Sequence, residues 1–132
     1  MRRALVIDGC GVRVDVVLGT LAAAGFEALV VPSLDAARAL VEAGAVVVVL
    51  GTGVGDGLAA LSSWPASVRR ACVVAMLGGE DAGGARAFRL GVDVVLPAAD
   101  EARLGEALAA ALATKRALVA PVDAAAAARL SA

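Results

Sequence analysis

Five short apolar runs alternate along this chain with longer stretches rich in alanine and leucine. The runs cover residues 4–7, 28–31, 45–50, 71–76 and 92–96. Because strand patterns that alternate with helical patterns indicate βαβ units, we predict a parallel sheet covered by helices on both faces. The run at 45–50 is the most hydrophobic, which is typical of a central strand. The predicted fold class is therefore α/β, with five consecutive strand–helix units.

Apolar residues at helical spacing mark the segments between the strands. Val14, Val17 and Leu21 recur on one face of a helix, and Gly25 follows where glycine is favoured after a helix. The later predicted helices begin after Ser33, at Gly57, at residue 81 and after an Asp100 N-cap.

The chain after Thr114 has two readings. Pro121 interrupts it, and residues 124–130 suit either a further helical turn or a disordered linker. We therefore predict one domain at residues 1–114 and a C-terminal tail or linker, partly helical, at 115–132.

Composition argues against several classes of function. A length of 132 residues suits one domain, and a formal charge of −1 gives no general attraction to nucleic acid or to anionic membranes. Arg2 with Arg3, and Arg69 with Arg70, are isolated basic pairs, so we expect no nucleic-acid partner. The apolar stretch at 43–55 is too short and too rich in glycine to cross a bilayer, so we expect no membrane association.

The two cysteines, Cys10 and Cys72, make no disulfide framework, and we expect free thiols in a cytoplasmic protein. Cys10 lies between two glycines after the first strand, where a thiolate nucleophile could be placed. The chain has no histidine to activate it, and Val16 stands where a phosphatase-type loop needs arginine. A catalytic role for Cys10 is therefore not expected.

Three segments form one pattern that spans residues 3–113. The first segment is the first strand, which ends in Asp8, together with Gly25 and Phe26 after the following helix. The second is the third strand with the Gly-Asp-Gly at 55–57. The third combines AFRLGVD at 87–93 with DEARL at 100–104. The set resembles the receiver domain of two-component response regulators, in the CheY-like superfamily. The resemblance implies a doubly wound, flavodoxin-like sheet with strand order 2-1-3-4-5.

The phosphorylation pocket that the resemblance implies is degenerate. Asp8 is the first residue of an acidic pair whose second position holds glycine, and no carboxylate lies in the acceptor window at 49–51. Ala98 stands where the resemblance implies a lysine, and Met76 where it implies a switch threonine or serine. The positions of this degenerate pocket are Asp8, Gly9, Val49, Leu50, Gly51, Met76 and Ala98.

Aspartyl phosphorylation needs a carboxylate nucleophile and a divalent cation held by oxygen ligands. A lone Asp8, at most a vestigial metal ligand, does not meet that need. We therefore predict a protein that is not an enzyme and has no cofactor or metal site. The predicted function is that of a phosphorylation-independent pseudo-receiver, a protein interaction module in bacterial two-component-type signalling.

Two surfaces are predicted to bind a protein partner or a second copy of the chain. The resemblance implies the face formed by the fifth strand and the helices on either side of it. The second surface is the outer face of the first helix, beyond its apolar stripe. The candidate residues of the two surfaces are Arg86, Arg89, Val95 and Arg103, and Val12 and Val16.

Two alternatives stay open at the third strand. The glycine-rich loop from Gly51 to Gly57 could cradle a phosphate or nucleotide with its backbone N–H groups, although it lacks the Lys-Ser/Thr of a P-loop. Asp56 is the nearby candidate for a displaced phosphoryl acceptor, if the domain were an active receiver.

Overall fold

The computed structural model describes residues 2–8, 12–51, 57–78 and 82–131 of the chain. The strands of this part are β1 (Arg3–Ile7), β2 (Glu27–Val31), β3 (Val47–Gly51), β4 (Val73–Leu77) and β5 (Val94–Leu96). They form one sheet of five parallel strands in the order β2-β1-β3-β4-β5. The predicted α/β class, the parallel sheet and its strand order are confirmed.

The helices lie between and after the strands. Ser33 begins the second of them as predicted, because its hydroxyl accepts the Ala36 N–H at 3.2 Å. Gly25 follows the first helix with a φ of 90°, the left-handed conformation that glycine adopts readily. The helices are α1 (Val14–Ala23), α2 (Leu34–Glu42), α3 (Gly57–Ser62), α4 (Ala66–Arg70), α5 (Ala82–Leu90), a 3-10 helix (Ala98–Arg103), α6 (Leu104–Val119) and α7 (Ala124–Ser131).

The sheet separates two hydrophobic cores, because successive strand residues point to opposite faces. Val6 and Val49 belong to the core under α1, α6 and α7, whereas Leu5, Leu50 and Met76 belong to the core under α2 to α5. All five residues of β3 are buried, which confirms its predicted central place.

The C-terminal part of the chain differs from the expected helix after Asp100. A 3-10 helix comes first, and α6 begins only at Leu104, with Arg103 in the N-cap position. The prediction that Asp100 caps the last helix is therefore wrong, and its carboxylate instead accepts from Arg103 Nη1 at 3.3 Å.

The segment after Thr114 is helical in two pieces. α6 continues to Val119, and α7 buries Ala126, Ala127 and Leu130 in the same core as α6. Arg129 Nη2 donates to the backbone oxygen of Glu42 at 3.0 Å, where α2 ends. Among the helices of the described ranges, none has the length and apolar character that a membrane crossing requires.

Candidate functional site

A cleft of about 330 Å³ opens at the carboxyl edge of the sheet. This is the edge at which open α/β sheets bind their ligands. Its walls come from the segment before α1, the end of β4 and the segment after β5. The lining residues are Val12, Arg13, Leu77, Ala98, Ala99 and Glu101.

An ion pair between Arg13 and Glu101 spans this cleft. Glu101 is 4% exposed and is the one charged residue that is buried among the described residues. The Arg13 side chain, in contrast, is 70% exposed. A buried carboxylate is costly without a partner, so Arg13 compensates the charge that Glu101 brings into the protein. The pair thereby ties the start of α1 to the 3-10 helix.

The acceptor window of the degenerate pocket lies inside the molecule. Val49 and Leu50 are fully buried on opposite faces of the sheet, and Leu50 pairs in register with Met76 of β4. Gly51 ends β3 beside Leu77, which lines the cleft. β3 and β4 therefore bring no carboxylate or hydroxyl to the cleft, and of their residues Leu77 lines it.

Asp8 and Ala98 lie at the surface of the same edge. Asp8 is exposed just after β1, and its backbone N–H donates to the Val31 oxygen at 2.9 Å. Arg13, and not Asp8, occupies the N-cap position of α1. Ala98 is exposed and lines the cleft with a methyl group only.

Several sequence candidates fall outside the described residues. They are Gly9, Cys10, Asp56 and most of the loop between Gly51 and Gly57. Within the described ranges, no group of three or more His, Cys, Asp or Glu side chains is placed to hold a metal ion.

The predicted interaction residues near β5 occupy neighbouring elements. Arg86 and Arg89 are exposed on α5, and Arg103 is exposed at the end of the 3-10 helix. Val95 is half-buried and packs against the core under α5. Phe88, 54% exposed on α5, lies between the two arginines in sequence and was missed. The available signal was helical spacing: Ala87 and Leu90 lie three residues apart and share one helix face, which leaves Phe88 off that face.

The two residues predicted for the second surface, Val12 and Val16, lie in different places. Val16 is 40% exposed on α1. Val12 precedes α1, is half-buried against both cores and lines the cleft instead. The two valines therefore do not share one helix face.

Comparison with known proteins finds a structural likeness. No protein-family model matches the chain, and no curated protein matches it. The crystal structure of NtrX from Brucella abortus in complex with ADP matches with a TM-score of 0.64 and 26% sequence identity. The match covers 88% of this chain and 27% of the NtrX chain, so this chain spans about a quarter of that protein. NtrX is a response regulator, and the likeness supports a receiver-type, CheY-like domain.

Proposed function

We propose that this chain is a pseudo-receiver, which binds protein partners in a bacterial two-component-type pathway without being phosphorylated. The observation that carries the proposal is the chemistry at the carboxyl edge of the sheet. Gly51 ends β3 where an acceptor aspartate would stand, and Ala98 follows β5 where a lysine would stand. The likeness to a response regulator supports the signalling context.

Among the described residues that line the cleft, Glu101 alone has a carboxylate, and it is unsuited to phosphotransfer. Glu101 is buried and its charge is compensated by Arg13. Removing Arg13 from the pair would leave a buried charge unpaired, which is strongly destabilising. The proposed activity is therefore binding alone, with no cofactor.

The surface of α5 is the proposed interface. It exposes Phe88 between Arg86 and Arg89, and Arg103 is exposed on the 3-10 helix nearby in the chain. Aromatic residues and arginine are enriched at protein interfaces and dominate their binding energy. This surface suits a partner that presents acidic and apolar groups, including a second copy of the chain. The alternative interface is the outer face of α1, where Val16 is exposed.

The test is partner capture from a bacterial extract with the immobilised domain as bait, and sedimentation for a second copy. A Phe88→Ser, Arg89→Glu bait should lose the partner or the dimer, because the exposed aromatic and one cation are removed. Val16→Ser is the matched control on α1 and should bind as the wild type does. Acetyl phosphate with Mg²⁺ should leave the captured amount unchanged.

Two results would contradict the proposal. Loss of binding in Val16→Ser alone would place the interface on α1. A response to acetyl phosphate that Asp56→Asn abolishes would establish a displaced acceptor, and the domain would be an active receiver.

A further inference from the structure

A second cavity, of about 230 Å³, lies at the opposite, amino edge of the sheet. It is formed by α4 just before β4, by the residues between α5 and β5, and by the C-terminal half of α6. Three of its six lining residues are cationic and one is acidic. The lining residues are Ala66, Arg69, Arg70, Gly91, Asp93 and Lys115.

The acidic residue of this cavity is already compensated. Lys115 Nζ donates to Asp93 Oδ2 at 2.9 Å and to the Cys72 backbone oxygen at 2.6 Å. Asp93 Oδ2 also accepts the Val74 N–H at 2.8 Å. Lys115 and Asp93 therefore form a neutral pair held by the backbone at the start of β4. Arg70 is paired with Asp123, so Arg69 carries the positive charge of the lining that no described carboxylate compensates.

One N–H donor of Arg69, at the edge of this cavity, makes no hydrogen bond within the described ranges. The donor is the Nε atom, which is buried. A buried donor without a partner costs about 1–3 kcal/mol, and more when the group is charged. A Cβ atom added at Gly91 would lie 3.6 Å from Arg69 Cδ and 3.6 Å from Leu61 Cγ, so the arginine stem packs closely over this glycine. The guanidinium is thereby kept at the cavity without an acceptor of its own.

Arg70 adds further donors to the same cavity. Its Nε donates to Asp123 Oδ2 at 3.2 Å, and its side chain is 37% exposed. That bond uses one of the five N–H donors of a guanidinium. The bond to Asp123 leaves the other donors of Arg70 unused, and both arginines line the cavity.

We infer that this cavity binds a small tetrahedral oxyanion of the phosphate type, free or as the end group of a phosphomonoester. Planar guanidinium groups match such anions through paired N–H donors. The cavity is smaller than the roughly 300–1,000 Å³ of sites for drug-sized ligands, which suits the anion and not a large organic molecule. The site lies at the edge opposite the degenerate pocket, so it is independent of the proposed function.

The test is an amide NMR titration with inorganic phosphate, with chloride as the ionic-strength control. We expect saturable shifts at Ala66, Gly91 and Asp93 that chloride does not produce. Arg69→Gln should weaken binding about tenfold or more, because it removes a charged donor. Arg86→Gln on α5 is the matched control outside the cavity and should bind as the wild type does. Repeating the titration with glycerol phosphate separates a free anion from a phosphomonoester.

A variant with the opposite expected effect guards against loss of folding in Arg69→Gln. Asp123→Asn keeps an oxygen for the Ala126 N–H but removes the carboxylate charge that engages Arg70. It should tighten phosphate binding severalfold. Shifts that never saturate, or equal affinities in the wild type, Arg69→Gln and Asp123→Asn, would overturn the inference.

Discussion

Cys72 lies just before β4 with its thiol fully buried. Burial raises its pKa to about 12, because the thiolate would be poorly solvated there, and nearby Lys115 offsets this only in part. The thiol is 3.7 Å from the Val68 backbone oxygen, to which it donates. Cys72 is therefore a core residue and not a nucleophile.

In a Cys10→Ser background we expect Cys72 to resist Ellman's reagent at neutral pH until the protein unfolds. The native state keeps the proton that the unfolded state loses, so the free energy of unfolding should fall as the pH rises above 9.0. Labelling of Cys72 in the native state as fast as in denaturant would contradict this assignment.

Asp123 begins α7 as its N-cap. Its carboxylate accepts the Ala126 N–H at 3.0 Å and pairs with Arg70, and both contacts lower its pKa below the ordinary 3.8, the backbone hydrogen bond most. The stabilisation is complete above the unfolded pKa and is lost as the pH falls through the lower folded value.

The difference in stability between the wild type and Asp123→Asn should therefore shrink as the pH is lowered past 3.8. Thermal unfolding as a function of pH measures this, with Asp35→Asn on α2 as a control. A difference that stays constant to the lowest pH would show that the carboxylate charge has no role.

The role of a single residue could be predicted from the sequence in some cases and not in others. A count along the sequence was enough to place Gly51 in the window where receivers have the acceptor aspartate, and Ala98 at the position of their lysine. Glu101 gave no signal, because it stands among other charged residues of a short helical segment and only the fold buries it against Arg13. The sequence indicated only that the Arg69–Arg70 pair is too isolated to bind nucleic acid. Its position beside Lys115 could not be predicted, because the fold brings together residues that are far apart in the chain.

At the scale of elements, α7 is the segment that the sequence left undecided. Its alanines have no strong apolar periodicity, and Ala126 and Ala127 become core residues only against α6. α4 was not predicted, because proline is as typical of the end of one helix as of the start of the next; here the Pro65 backbone (φ −54°, ψ 144°) occupies the N-cap. The division of the chain at residue 114 stays a prediction.

Leu130 is the residue that tests whether α7 belongs to the folded domain. It is 2% exposed, so Leu130→Ala should reduce the free energy of unfolding by about 2–5 kcal/mol. Leu118→Ala, at a position 73% exposed, should change it by about 0.5 kcal/mol or less. Denaturant unfolding compares the two variants, and equal stabilities would mean that residues 115–132 act as a tail.

At the scale of the whole molecule, the fold class followed from the sequence because the five strands and most of the helices between them have local signatures. Alternation of the apolar runs fixed the class, and the resemblance to receivers supplied the strand order that the sheet has. The candidate site did not follow in the same way, because its cleft depends on loops and on one ion pair. A cytoplasmic location and the choice of protein partner stay predictions.

The two edges of the sheet differ in chemistry. At the carboxyl edge, the described residues that line the cleft are apolar except for the Arg13–Glu101 pair, and Asp8 is exposed at the surface nearby. The amino edge gathers Arg69, Arg70 and Lys115. A molecule built this way is expected to respond to binding partners and anions and not to phosphoryl transfer at the usual edge.

The central claim is the loss of the phosphorylation pocket, and an amide NMR titration with Mg²⁺ followed by beryllium fluoride tests it most directly. Beryllium fluoride mimics an aspartyl phosphoryl group, so it binds only where an acceptor carboxylate and a metal site exist together. We expect no saturable shift at Asp8, Gly51 or Ala98. Saturable shifts at these residues would show a working acidic pocket and contradict the pseudo-receiver account.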